Sequence, residues 1–177
     1  NVSYKFGEAL VSLNLGHYHF HTCNLPEALK YLQKSYALYG NMDSDSFKSQ
    51  ILFQLGVVYL YLSKHEKSVD YLEQLLAYAE NPKRNAFNVN IEHVRLLLYI
   101  AYKKIGKKYD KRKIPFNYVN ETKTNVFYKN YLLYILSNDS KFLKTSYNKL
   151  IDESKKLEDR FVNNFLTSFF PKAIVEE

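Results

Sequence analysis

Three histidines at alternate positions, His17, His19 and His21, are followed two residues later by Cys23. In this chain, coordination or nucleophilic chemistry is best sought there. On a helix only residues three or four apart share a face, so His17 and His21 can converge while His19 points elsewhere. Two imidazoles fall short of the three or four ligands that a zinc site takes from the protein. No glutamate stands between them in the His-Glu-x-x-His pattern of zinc peptidases. The one enzymatic arrangement the stretch could supply is a novel hydrolase around His17, His21 and Cys23. The chain also has no Gly-x-Ser-x-Gly elbow, Walker-type glycine loop or dinucleotide fingerprint. We therefore expect no catalytic residue, no metal and no cofactor, and not an enzyme.

A second cluster could bind anions. Lys103, Lys104, Lys107, Lys108, Lys111, Arg112 and Lys113 stand against Asp110 alone, an excess of six that accounts for most of the net charge of +7. With Tyr102, Tyr109, Phe116 and Tyr118 interleaved, such a run could touch phosphates or an anionic surface. The competing reading is a solvated helix end, where lysines also favour the helix dipole.

These side chains must be held by helices. With 46% hydrophobic residues, the 177-residue chain can bury a real core. No stretch is long and apolar enough for a membrane span, and no basic-then-apolar leader opens the chain. A single cysteine cannot close an internal disulfide, which fits a reducing, cytoplasmic location. The start at Asn1 rather than methionine suggests a segment of a larger protein.

Apolar residues recur at three- and four-residue spacing over 3–21, with Phe6, Ala9, Leu10, Leu13, Leu15 and Phe20. The same spacing predicts helices over 25–39, from a cap near 43–45 to Leu62, over 65–80, and over 87–105. Asn24 is a candidate N-cap with Pro26 in the first turn, and Gly40-Asn41 a stop. Asn81-Pro82 ends the fourth helix. Residues 107–121, with Pro115, read as irregular. Helical pattern resumes over 123–136, 140–157 and 159–169, with Pro171 expected to stop the last.

The strongest signal is self-similarity. Leu15-Gly16, Ala28 and Leu32 return forty residues later as Leu55-Gly56, Ser68 and Leu72, each glycine standing where two helices would approach closely. Cys23, Ser63 and Gly106 each lie four residues after His19, Tyr59 and Tyr102. On these residues the chain resembles the tetratricopeptide repeat, whose pattern has Leu-Gly, an aromatic, a loop glycine and small residues at fixed offsets. Here Cys23 and Ser63 replace the loop glycine, and the third copy loses its second half. The period suggests the longer-repeat variety found C-terminally in bacterial regulators and signalling ATPases. Arg160-Phe161 to Ile174 is similar to a segment that follows the last repeat there.

The resemblance implies an all-α, right-handed superhelix of antiparallel helix pairs, an α-solenoid forming a single domain. Its repeats would span about 5–40, 45–80, a degenerate 87–121, and 123–157, with a capping helix over 159–170. It also implies a scaffold for protein or peptide partners, held in a groove lined by the first helix of each pair. Mapped by position, that groove takes in Leu13, His17, Phe20 and His21, then Gln50, Phe53, Val57, Leu60 and Tyr61, then His93, Leu96, Ile100 and Lys104. Nucleic-acid or anionic-surface binding through 103–113 is the alternative.

Overall fold

The computed structural model describes residues 2–39, 45–81, 90–116 and 126–177. Gly40-Asn41, the capping positions 43–44, Pro82, the helix start at 87–89 and residues 117–125 lie outside them. Among the described residues every regular element is helical, as the periodicity requires. They are α1 (Val2–His21), α2 (Leu25–Tyr39), α3 (Asp45–Tyr61), α4 (His65–Ala79), α5 (Ile91–Lys104), α6 (Val126–Ser137), α7 (Ser140–Ser154), α8 (Asp159–Leu166) and α9 (Phe169–Val175), with a one-turn 3-10 helix at Lys111–Lys113. The chain divides into two compact units, residues 1–109 and 110–177.

In the first unit α1 pairs with α2 and α3 with α4, while α2 also packs on α3 and α4 on α5. The two hairpins and the end of α5 share one turn. Cys23, Ser63 and Gly106 have φ of 62°, 56° and 70°, the left-handed conformation that ends a helix. The next residue's N–H reaches back five residues, from Asn24 to His19 O at 2.8 Å, Lys64 to Tyr59 O at 2.9 Å, and Lys107 to Tyr102 O at 2.9 Å. Glycine is favoured at this position because the conformation strains any residue with a Cβ. Ser63→Gly is therefore expected to stabilise the first unit by about 0.5–1 kcal/mol, since the exposed serine loses little else. Urea unfolding would show it, and a lowered midpoint would refute the strain.

The hairpins close tightly where the glycines allow it. A Cβ on Gly16 would sit 2.7 Å from Leu32 Cγ, and one on Gly56 2.6 Å from Leu72 Cδ2. Leu32 and Leu72 are wholly buried there. Hydroxyls bridge the same seams, Ser35 Oγ donating to Ala9 O at 2.8 Å and Ser68 Oγ to Gly56 O at 2.7 Å. Each buried hydroxyl is thus satisfied by a carbonyl across the pair. Asn24 Oδ1 accepts from Glu27 N at 3.4 Å, at the start of α2.

The third first-helix ends differently. Tyr99 stands seven residues before Gly106, as Gly16 stands before Cys23 and Gly56 before Ser63. A tyrosine there excludes a closely packed second helix. Instead its ring stacks on Tyr109 at 4.9 Å and 16°, so the returning chain closes α5.

In the second unit α6 and α7 form a hairpin through Asn138, again left-handed at φ 57°. Asp139 Oδ1 caps α7 by accepting from Lys141 N at 3.0 Å, and Ser146 Oγ donates to Phe127 O at 2.5 Å. Tyr131 occupies the glycine position of this pair. Accordingly α7 buries Ser146 and Leu150 instead of the residues five and nine after the turn, Leu143 and Tyr147. The last helix differs from the expected one: α8 ends at Leu166, and Pro171 lies in the first turn of α9. Proline is tolerated there because a first-turn N–H has no partner within the helix.

Candidate interaction surface

The three first helices of the first unit present their mapped residues in matching rows. Leu13, Phe53 and Leu96 form one row, His17, Val57 and Ile100 the next, and His21, Tyr61 and Lys104 a third. Leu13, Phe20, Val57, Leu60, Leu96 and Ile100 are buried, so they make the floor between helices and offer little surface to a ligand. His17, His21, Gln50 and Lys104 are exposed, and Phe53, Tyr61 and His93 are half-buried. The apolar members went inside because each first helix is enclosed by neighbours on several sides, which periodicity within one helix cannot reveal.

Ring contacts run across this face. Phe20 meets Tyr61 at 5.9 Å between α1 and α3, and Phe53 meets His93 edge-on at 5.6 Å between α3 and α5. His17 and His21 are joined Nε2 to Nε2 at 2.9 Å. Partial burial lowers the pKa of both, and the charge of His17 lowers that of His21 further, so the pair is neutral at neutral pH. Among the described residues no three His, Cys, Asp or Glu come together as a metal site would need. Cys23 is exposed in its turn.

Burial pushes His93 down from 6.5 to about 4. The unfolded chain binds this proton below pH 6.5 while the folded chain resists it. The contribution to stability is therefore complete above pH 6.5 and drains away as pH falls toward 4. The first unit is expected to lose about 2–3 kcal/mol over that range. His93→Gln should flatten the profile in pH-dependent urea unfolding, and an unchanged slope would refute the assignment.

The basic residues fall in both units, and some of them are already paired. Lys103, Lys104, Lys107 and Lys108 belong to the first unit, and Lys111, Arg112 and Lys113 to the second. Lys107 Nζ lies 2.6 Å from Glu73 Oε1 and over the Tyr102 ring at 4.4 Å. Hydrogen bonds from Lys107 and then Tyr102 hold the Glu73 carboxyl below the usual carboxylate range. Arg112 grips Asp110 through two contacts of 3.0 and 3.1 Å. Carboxylates thus already engage Lys107 and Arg112.

Sequence reasoning missed a set of aromatic links between pairs. Gln33 of α2 donates to the Tyr59 hydroxyl of α3 at 2.9 Å, and forty residues on, Glu73 of α4 accepts from the Tyr102 hydroxyl of α5. His19 stacks on Tyr31 at 5.4 Å as Tyr59 stacks on Tyr71 at 5.4 Å. The repeat offset, 40 residues from His19 to Tyr59 and from Gln33 to Glu73 and 43 from Tyr59 to Tyr102, was the available signal.

Among the described residues no helix is long and apolar enough to cross a membrane. Residues 7–81, which take in the two hairpins and their glycine seams, match the family model described as tetratricopeptide repeat. No curated protein and no solved structure matches the chain. The glycine seams, the left-handed turns and this match agree: residues 7–81 of the chain are tetratricopeptide repeats.

Proposed function

We propose that the first unit binds a protein or peptide segment across α1, α3 and α5, in a groove lined by His17, His21, Gln50, Phe53, Tyr61, His93 and Lys104. Tetratricopeptide repeats mediate protein–protein interaction and are typically non-catalytic. The observation that carries the reading is the row of accessible aromatic, imidazole and amide groups above a closed apolar floor. Leu13, Phe20, Val57, Leu60, Leu96 and Ile100 act by holding that floor. Such a surface suits an extended segment with apolar side chains and a free backbone. In the fuller reading the chain is a scaffold or sensor segment of a larger regulatory or signalling protein in the cytoplasm. The forty-residue period and the single cysteine support that reading.

Phe53→Ala and Tyr61→Ala should each weaken partner binding by about tenfold or more. The partner would be captured from lysate and affinity then measured with the purified pair. Because the contacts are largely uncharged, raising salt from about 50 to about 200 mM should change affinity little, whereas phosphate contacts would lose orders of magnitude. Binding that survives both substitutions and collapses in salt would move the site to the lysines.

A further inference from the structure

Phe6, Leu10 and Leu15, expected on the buried side of α1, remain exposed, as do Tyr4, Val11 and Tyr18. Repeat equivalence shows what this face lacks. Val11, Leu15 and Tyr18 correspond to Ile51, Leu55 and Val58 of α3 and to Val94, Leu98 and Ala101 of α5. The α1 residues are 57%, 36% and 61% exposed, whereas the six equivalents are at 2% or less. What distinguishes α3 and α5 is a preceding second helix: α2 packs on α3, and α4 packs on α5.

A polar feature marks the same face. His19 occupies the position of Tyr59 and Tyr102, stacked in the same way on the tyrosine of its own second helix. Tyr59 and Tyr102 each hydrogen-bond residue 33 or its equivalent 73 on the preceding second helix, Gln33 and Glu73 respectively. Imidazole can donate and accept as a tyrosine hydroxyl does, so His19 keeps this bonding capacity.

We propose that the outer face of α1, centred on Val11, Leu15, Tyr18 and His19, docks the second helix of another helix pair. That helix is amphipathic, with apolar side chains at three- and four-residue spacing and a glutamine or glutamate placed to hydrogen-bond His19. A second copy meeting α1 to α1 does not supply that group. The α1 helix contains no glutamine, and its one acid, Glu8, is engaged by Lys34 of α2 at 2.9 Å. The surface is separate from the groove residues above, so the two readings fail independently.

The test extends the whole chain at its front with a copy of residues 45–84, joined by a short glycine–serine linker. Amide hydrogen exchange then reports on α1. The appended second helix is expected to slow exchange in α1 by about tenfold or more. Tyr18→Asp or Val11→Lys should abolish that protection while leaving exchange of the unextended chain unchanged. Glu73→Ala in the appended copy alone should reduce it several-fold. Unchanged exchange in the extended chain overturns the proposal. So does an unextended chain that sediments as a dimer and is made monomeric by Tyr18→Asp, because the occupant is then a second copy.

Discussion

Leu72→Ala is expected to destabilise the first unit by about 2–5 kcal/mol, the range for emptying a fully buried leucine site. Its more telling consequence concerns Gly56. In the native chain Gly56→Ala forces a Cβ to 2.6 Å from Leu72 Cδ2 and 2.7 Å from Cγ, and neither atom can retreat through a closed core. That overpacking should cost about 1–3 kcal/mol, more than the roughly 1 kcal/mol alanine gains over glycine inside a helix. The three atoms nearest the new Cβ all belong to Leu72. In the Leu72→Ala background the clash therefore disappears and the same Gly56→Ala change becomes neutral or mildly stabilising. A double-mutant cycle by urea unfolding should show coupling above about 1 kcal/mol. Additive costs would mean that the seam is looser than the glycine implies.

Tyr99→Ala is the second large effect, at about 3–5 kcal/mol for truncating a buried aromatic. A standard tetratricopeptide reading would place a small residue here and predict a benign change. Among the described residues of the first unit no second helix follows α5, and the ring stacks on Tyr109 instead. Tyr109→Ala should cost less, since Tyr109 is only half-buried. The pair should show coupling of about 0.5–1.5 kcal/mol, the value of an aromatic contact beyond its area. Loss of protection should concentrate in α5, which hydrogen exchange resolves. A Tyr99→Ala protein as stable as the parent would show that the end of α5 is closed by something else.

Much of this architecture was legible in one dimension. Apolar spacing placed α2 at residues 25–39 and most other helices to within a few residues, because each must bury one face. Leu15-Gly16 and Leu55-Gly56 revealed the repeat, since only a residue without a Cβ lets the facing leucine approach. The offset to Cys23, Ser63 and Gly106 located the turns, because ending the helix there demands a left-handed residue whatever its side chain.

Tertiary structure decided what lies around each helix. Leu13, Val57 and Ile100 sit at positions the repeat assigns to a groove, yet they are buried, whereas His17 and His21 are exposed and Phe53 and Tyr61 half-buried. Leu15 and Leu55 are the same residue at the same repeat position, one exposed and one buried, because α2 lies over α3 and no described helix lies over that face of α1. Pro171 stops a helix in one context and opens one in another, depending on which N–H it removes. Local sequence determines which face of an element is apolar. Only the packed chain determines which of those faces is still waiting to be covered, because burial belongs to the pair of surfaces and not to either alone.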